Sequence, residues 1–321
     1  MRDPNRQPIC QPEPRVGRNG GRSTDEVRAK VRLHGDLRLA LPTREHERAS
    51  DDVIGLGVHA GARRDHQRKH GQRSHRATLA CAALLLGGCR EELDSIDTIF
   101  YNGDGRKVHC AVGLDDAAGN TVEDVRAALD RAQERGETVE LYGHKPGITI
   151  SIDKLEAIVK EIDARGMPFV LYSDFAKGEG TGPGVALSLD DNAIEAWDGI
   201  RPMLRQYGAH LTFFVSRYAR LSDAERATLH DFLADGHELQ AHGVNHLREP
   251  PYVEEHGLKA LLDDEVLPSI DVMRADGYPI EAFAYPFGSR TSEIDDAVLE
   301  HVAVVRSLAF SWGFPVRDAC P

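Results

Sequence analysis

From about residue 106 onward, short apolar runs alternate with longer stretches whose apolar residues recur every three or four positions. The runs at 108–112, 138–142, 168–172, 185–189, 209–215, 237–241, 281–285 and 302–309 predict strands. Between them, 121–135, 151–165, 193–206, 222–234, 254–276 and 291–300 predict helices. In the first helix Val122, Val125, Ala128, Leu129 and Ala132 share one face and Gly136 stops it; in the second, Leu155, Ile158, Val159 and Ile162 do the same. Strands that alternate with helices over some two hundred residues imply a parallel sheet, and this many units imply an α/β fold closed as a (β/α) barrel of about seven strands. The glycine-rich stretch 176–184 interrupts the pattern and predicts a flexible join.

Before residue 106 the chain is different material. Residues 1–76 carry 17 Lys and Arg against 10 Asp and Glu, leaving 22 against 42 for the rest of a chain whose net charge is -13. An acidic body excludes nucleic acid as a partner, because phosphate binding needs a cationic face. Residues 1–57 show no sustained period and predict a disordered or untranslated leader, with the true start near Val58. From 58 to 89 the order is basic, apolar, then Leu86-Gly87-Gly88-Cys89. That order resembles a bacterial lipoprotein signal, which would make Cys89 the lipidated residue and tether the protein to the cell-envelope membrane, on its periplasmic or outer-membrane face. The apolar run is too short to span a bilayer. Residues 90–105 predict a polar spacer. The five cysteines fit neither a metal-ligand spacing nor a disulfide framework, and Cys320 is left odd.

Chemistry gathers at the ends of the strands. The run 185–189 stops at Asp190-Asp191, and two adjacent carboxylates beside a core need a cation, a proton or a helix N-terminus to compensate them. His242 and His246 follow the strand at 237–241, Tyr285-Pro286-Phe287 ends the strand at 281–285, and His144 follows the one at 138–142. In parallel α/β folds functional loops lie at that end of the sheet. One carboxylate with two imidazoles spaced H-x-x-x-H is the oxygen-and-nitrogen donor set of an open catalytic metal site.

Asp190-Asp191 after a strand, the strand 211–215, His242-x-x-x-His246 and Phe283-Ala-Tyr-Pro-Phe-Gly288 resemble the successive motifs of the polysaccharide deacetylase family, the NodB-homology domain of carbohydrate esterase family 4. The resemblance spans about 125 residues. It implies a distorted (β/α) barrel, Asp190 as general base, Asp191, His242 and His246 as ligands of a divalent metal, usually zinc, and a polysaccharide losing N-acetyl groups. It also implies Tyr285, Pro286 and Phe287 along the sugar groove.

The chain departs from the family pattern in three places. Gly243 stands where a Ser or Thr is usual, and Ala284 where an Arg usually contacts the base. The family's last motif, which supplies the general acid, does not follow residue 309. Residues 138–175 resemble it instead, with His144 as the acid, so that 106–175 reads as a circularly permuted C-terminal part joined through 176–183 to the motifs in 184–321. Two rival functions stay open on these residues: a metal amidohydrolase acting on non-sugar amides, and a lipoprotein that binds glycan without cleaving it.

Overall fold

The computed structural model describes residues 92–309 and Cys320. The leader, the signal-like segment and Cys89 lie outside the described residues. The first described stretch is no spacer: Leu93, Ile96, Ile99, Phe100 and Tyr101 are all buried. Its apolar residues outweigh its polar ones in effect, because each hides against the body, Phe100–Tyr101 (β1) pairing antiparallel with a later strand.

Among the described residues, seven parallel strands follow: β2 (Val108–Gly113), β3 (Thr138–Gly143), β4 (Gly184–Asp191), β5 (Thr212–Val215), β6 (Glu238–Ala241), β7 (Ala282–Ala284) and β8 (Val304–Leu308). Each bonds to the next, and β8 bonds back to β2, which closes the barrel. The expected α/β barrel is therefore what forms. Helices α1 (Val122–Arg135), α2 (Ile152–Ala164), α4 (Ile194–Gln206), α5 (Asp223–Ala234) and α9 (Ser292–Val298) cross between strands. Their starts are written locally: Thr121 with Asp124 and Ser222 with Glu225 form reciprocal capping boxes.

Alternation along β4 explains why its sequence reads as an unbroken apolar run. Val185, Leu187 and Leu189 point outward into the main core, while Ala186, Ser188 and Asp190 are buried on the barrel's inner side. The inside is correspondingly polar in places, with His109, Glu140, Gln240 and Arg306 fully buried. Such groups need partners there. His109 Nδ1 pairs with Glu140 at 3.0 Å, and the Tyr172 hydroxyl donates to the same carboxylate at 3.1 Å.

Three expectations fail. The run 168–172 makes only the bridge Phe169 to Val185, because Pro168 has no N–H to give a ladder and Asp174 accepts from the Leu171 N–H, starting a helix, α3 (Tyr172–Ala176). Tyr172 and Phe175 of α3 pack with Ala186, Phe214, Ala282 and Val304, and the Tyr172 and Ser173 amides donate to Thr212 and Glu238 at the starts of β5 and β6. The short helix thus stoppers the barrel at the end opposite the chemistry. Second, the glycine-rich join is held: Thr138 donates to the carbonyls of Gly180 and Gly182 at 2.8 and 3.0 Å, and a Cβ at Gly180 would lie 2.7 Å from Val170. Third, the predicted helix at 254–276 is broken into α6 (Glu249–His256), α7 (Leu258–Leu261), a π-helical turn (Leu262–Val266) and α8 (Leu267–Ala275). Gly257 at φ 86° interrupts it, a value that other residues adopt only under strain.

Cys320 is not odd. It forms a disulfide with Cys110 of β2, across 210 residues of sequence. Spacing could not show this, since the two meet only once β2 lies beside β8. Among the described residues no helix is long and apolar enough to cross a membrane.

Candidate active site

Register delivers the site. Asp190 stands opposite Phe214, Asp191 opposite Val215, Val215 opposite Ala241, and Gly143 opposite Leu189. The residues that follow β3 and β6, His144 and His242, therefore emerge at the same barrel end as the two carboxylates. They surround a cavity of about 280 Å³ lined by Gly113, Tyr142, His144, Asp190, His242 and Phe287, among others.

Asp191, His242 and His246 converge, with their donor atoms all within 4.8 Å of one another. Asp191 Oδ1 lies 3.1 Å from His246 Nε2 and 3.9 Å from His242 Nε2. His242 donates its Nδ1–H to the Ala284 carbonyl at 2.8 Å, which leaves the Nε2 lone pair aimed at the group. Burial, reinforced by His246 and Arg306, pulls the His242 pKa down to about 4, so that the ring is neutral and able to ligate. Burial disfavours the Asp191 charge, but the hydrogen bond from His246 and the nearby imidazoles outweigh it and hold the carboxyl well below the usual range. Two imidazole nitrogens and one carboxylate oxygen on a cavity wall fit a divalent cation with positions left open.

Asp190 is 2% exposed and belongs to a different network. Arg306 of β8, fully buried, donates from Nη2 to Asp190 Oδ2 at 2.5 Å. Its guanidinium lies over the Phe214 and Tyr142 rings at 4.9 and 5.2 Å. So Asp190 does have an arginine, though Ala284 cannot supply it: β7 and β8 pair Ala284 with Arg306, and the guanidinium arrives from the neighbouring strand. Asp190 Oδ1 has no hydrogen-bond partner.

Opposite the metal-type group stands His144, held by a residue the sequence reading passed over. Asp115, just after β2, accepts from the His144 ring at Nδ1 and from the His144 amide at 3.2 Å, and Thr149 donates to it at 2.8 Å. Burial works against a charged His144, but the Asp115 hydrogen bond and the charges of Asp190, Asp115 and Asp191 prevail and push its pKa up to about 9. A signal for Asp115 was present: Leu114-Asp115-Asp116 is a second strand run ending in two carboxylates.

The three groove residues divide. Phe287 is 39% exposed and stands between the His246 ring at 4.6 Å and the Arg248 guanidinium at 4.0 Å, at the rim. Tyr285 reaches the cavity wall but is fully buried against Phe283, and Pro286 is buried outside that wall. Of the three, Tyr285 and Phe287 line the cavity and Phe287 alone is exposed. Asp191, His246 and Phe287 all have positive φ, at 85°, 62° and 60°. Such backbone is strained for these residues and persists where the surroundings over-determine it.

Residues 177–303 match the family model described as polysaccharide deacetylase. No curated protein matches the chain. Among solved structures, a deacetylase from Streptococcus pyogenes in complex with acetate is similar at 16% identity over 50% of this chain and 78% of that one, with a TM-score of 0.42. A polysaccharide deacetylase from Bacillus cereus is 15% identical over 56% of this chain and 61% of that one, TM-score 0.46. A de-N-acetylase from Aggregatibacter actinomycetemcomitans is 17% identical over 56% and 91%, TM-score 0.43. The matched segment contributes β4 to β7 and holds the Asp190, Asp191, His242 and His246 cluster, so the residues that gather at the cavity fall within the stretch that is similar to the polysaccharide deacetylase family.

Proposed function

We propose that this chain is a metal-dependent deacetylase that removes N-acetyl groups from a cell-envelope or extracellular polysaccharide. The observation that carries the reading is Asp190 Oδ1, a buried carboxylate oxygen with no partner, beside the Asp191, His242 and His246 group and across the cavity from a protonated His144. A divalent cation such as zinc held by those three residues supplies Lewis-acid polarisation of the acyl carbonyl. The rest is done by the chain. Arg306 fixes Oδ2 of Asp190 and leaves Oδ1 to take a proton from water as the water oxygen bonds to the acyl carbon. His144, its Nδ1 occupied by Asp115, offers the Nε2 proton to the amide nitrogen as the carbon–nitrogen bond breaks. Acetate and a free amine leave. Phe287 at the rim offers a sugar ring an apolar face.

His144 and Asp115 precede the matched segment, yet β2 and β3 occupy the gap between β8 and β4. This supports a circular permutation with its join at 176–183. The Cys110–Cys320 disulfide supports an oxidising compartment outside the cytoplasm, in keeping with a lipid anchor on Cys89.

The test is hydrolysis of N-acetylglucosamine oligomers against N-acetyl amino acids, by metal-stripped and zinc-reloaded protein. Amine release from the oligomers that depends on zinc is expected. Cleavage of the amino acids alone would refute the substrate class, and turnover that survives stripping would refute metal dependence.

A further inference from the structure

Between His242 and His246 the chain turns around one carboxylate. Glu265, fully buried, accepts from the Asn245 amide at 3.0 and 2.8 Å through Oε1 and Oε2, from the Asn245 side chain at 3.0 Å, and from the Leu247 amide at 3.2 Å. Its own carbonyl accepts from the Val244 amide at 3.2 Å. The residue sits in the π-helical turn Leu262–Val266, a rare form that recurs at functional sites. A Cβ at position 243 would lie 2.5 Å from Glu265 Oε1, and Gly243 has φ 81°. Glycine is what lets the carboxylate come this close.

We infer that Glu265 is the positioning residue that holds His246 in its ligating pose, replacing the loop hydroxyl that Gly243 lacks. His246 adopts φ 62°, a strained backbone for this residue that persists only where the surroundings over-determine it. The flanks are the pinned part: Asn245 on one side and Leu247 on the other donate to Glu265, and the Asn245 side-chain oxygen also accepts from Arg220. With both neighbours fixed, His246 Nε2 is brought to 3.1 Å from Asp191 Oδ1. Gly243 is thereby no sign of a decayed site. It and Glu265 form one device, in which the small residue makes room for the carboxylate that orders the loop.

The inference rests on Asp191, His242 and His246 holding a metal, and its test separates the two ideas. The whole protein is stripped of metal, and zinc affinity is read by competition with a chromogenic chelator, with melting temperature recorded before and after zinc. Glu265→Gln keeps the volume and loses part of the acceptor capacity; Glu265→Ala loses all of it. Partners that orient a ligand are typically worth 10- to 100-fold in metal affinity, so losses of about 10-fold for Glu265→Gln and up to about 100-fold for Glu265→Ala are expected, with turnover recovering as zinc is raised. Gly243→Ala is expected to weaken zinc binding strongly in the parent and less in a Glu265→Ala background, where the clashing oxygen is gone and only the backbone strain of φ 81° remains. Parental zinc affinity in both Glu265 variants, even with a lowered melting temperature of the stripped protein, would overturn the inference and leave the metal reading standing. Equal penalties for Gly243→Ala in the two backgrounds would overturn the coupling. A parent protein that takes up no zinc would overturn the metal reading and this inference with it.

Discussion

The two walls of the cavity were assembled in different ways. The metal-type wall, Asp191 with His242 and His246, comes from two strand ends inside the stretch 177–303 and keeps a recognisable spacing. The acid wall, His144 with Asp115, comes from β2 and β3, some thirty residues apart and outside that stretch, and its pairing is visible only in space. The difference teaches that a donor set read by spacing can be found in a sequence, whereas a proton donor needs only one ring and one orienting carboxylate from any strand that ends at the right rim.

Removing a ligand should do most. His242→Ala is expected to abolish zinc binding and to lower turnover by more than about 10,000-fold, because several kcal/mol of charge stabilisation leave with the ion. Metal analysis of the purified variant together with an oligomer assay checks both halves. On the acid wall the expectation is different: His144→Ala should cost about 100- to 10,000-fold in turnover, the range of a general acid or base, while zinc content stays at one ion per chain. Equal metal loss in the two variants would erase the distinction between the walls.

The acid wall should also carry the pH dependence. His144 must be protonated to act, so activity is expected to fall as pH rises through about 9. Asp115→Asn removes the charge that favours the imidazolium, and the alkaline limb of the rate profile should move to lower pH; an unmoved limb would show that His144 is not the titrating donor. The raised value also means that this pair stabilises the fold below a pH of about 6.5, the unperturbed histidine value, and loses that contribution as pH climbs through about 9.

Smaller effects should come from the frame that joins the walls. Cys110→Ser is expected to lower stability by about 2–4 kcal/mol, read as a shift in denaturant midpoint, by freeing the link across the β2 and β8 seam. The smallest change should follow from restoring the chain order the family implies, with 106–175 placed after residue 309 and the chain opened near Gly184. Since β2 and β3 would still close the same barrel, activity should persist, and loss of a folded product would count against permutation.

Sequence by itself determined much of this protein. The two-residue period of strands against the 3.6-residue period of helices specified an α/β barrel, and Asp190, Asp191, His242 and His246 were legible because a carboxylate pair at a strand end and an H-x-x-x-H spacing are local patterns. The rest required the tertiary structure, for reasons that differ by residue. Arg306 reaches Asp190 because β7 and β8 lie in register, a relation between strands that no local pattern encodes. Glu265 lies twenty-two residues past Gly243 in sequence and against it in space, so the partner that accounts for a glycine at this position was out of view. Cys110 finds Cys320 across the closing seam, and α3 forms where a strand was expected because Pro168 cannot feed a ladder and Asp174 caps a helix. Periodicity records which face of an element is buried, and only the folded chain decides which buried faces meet.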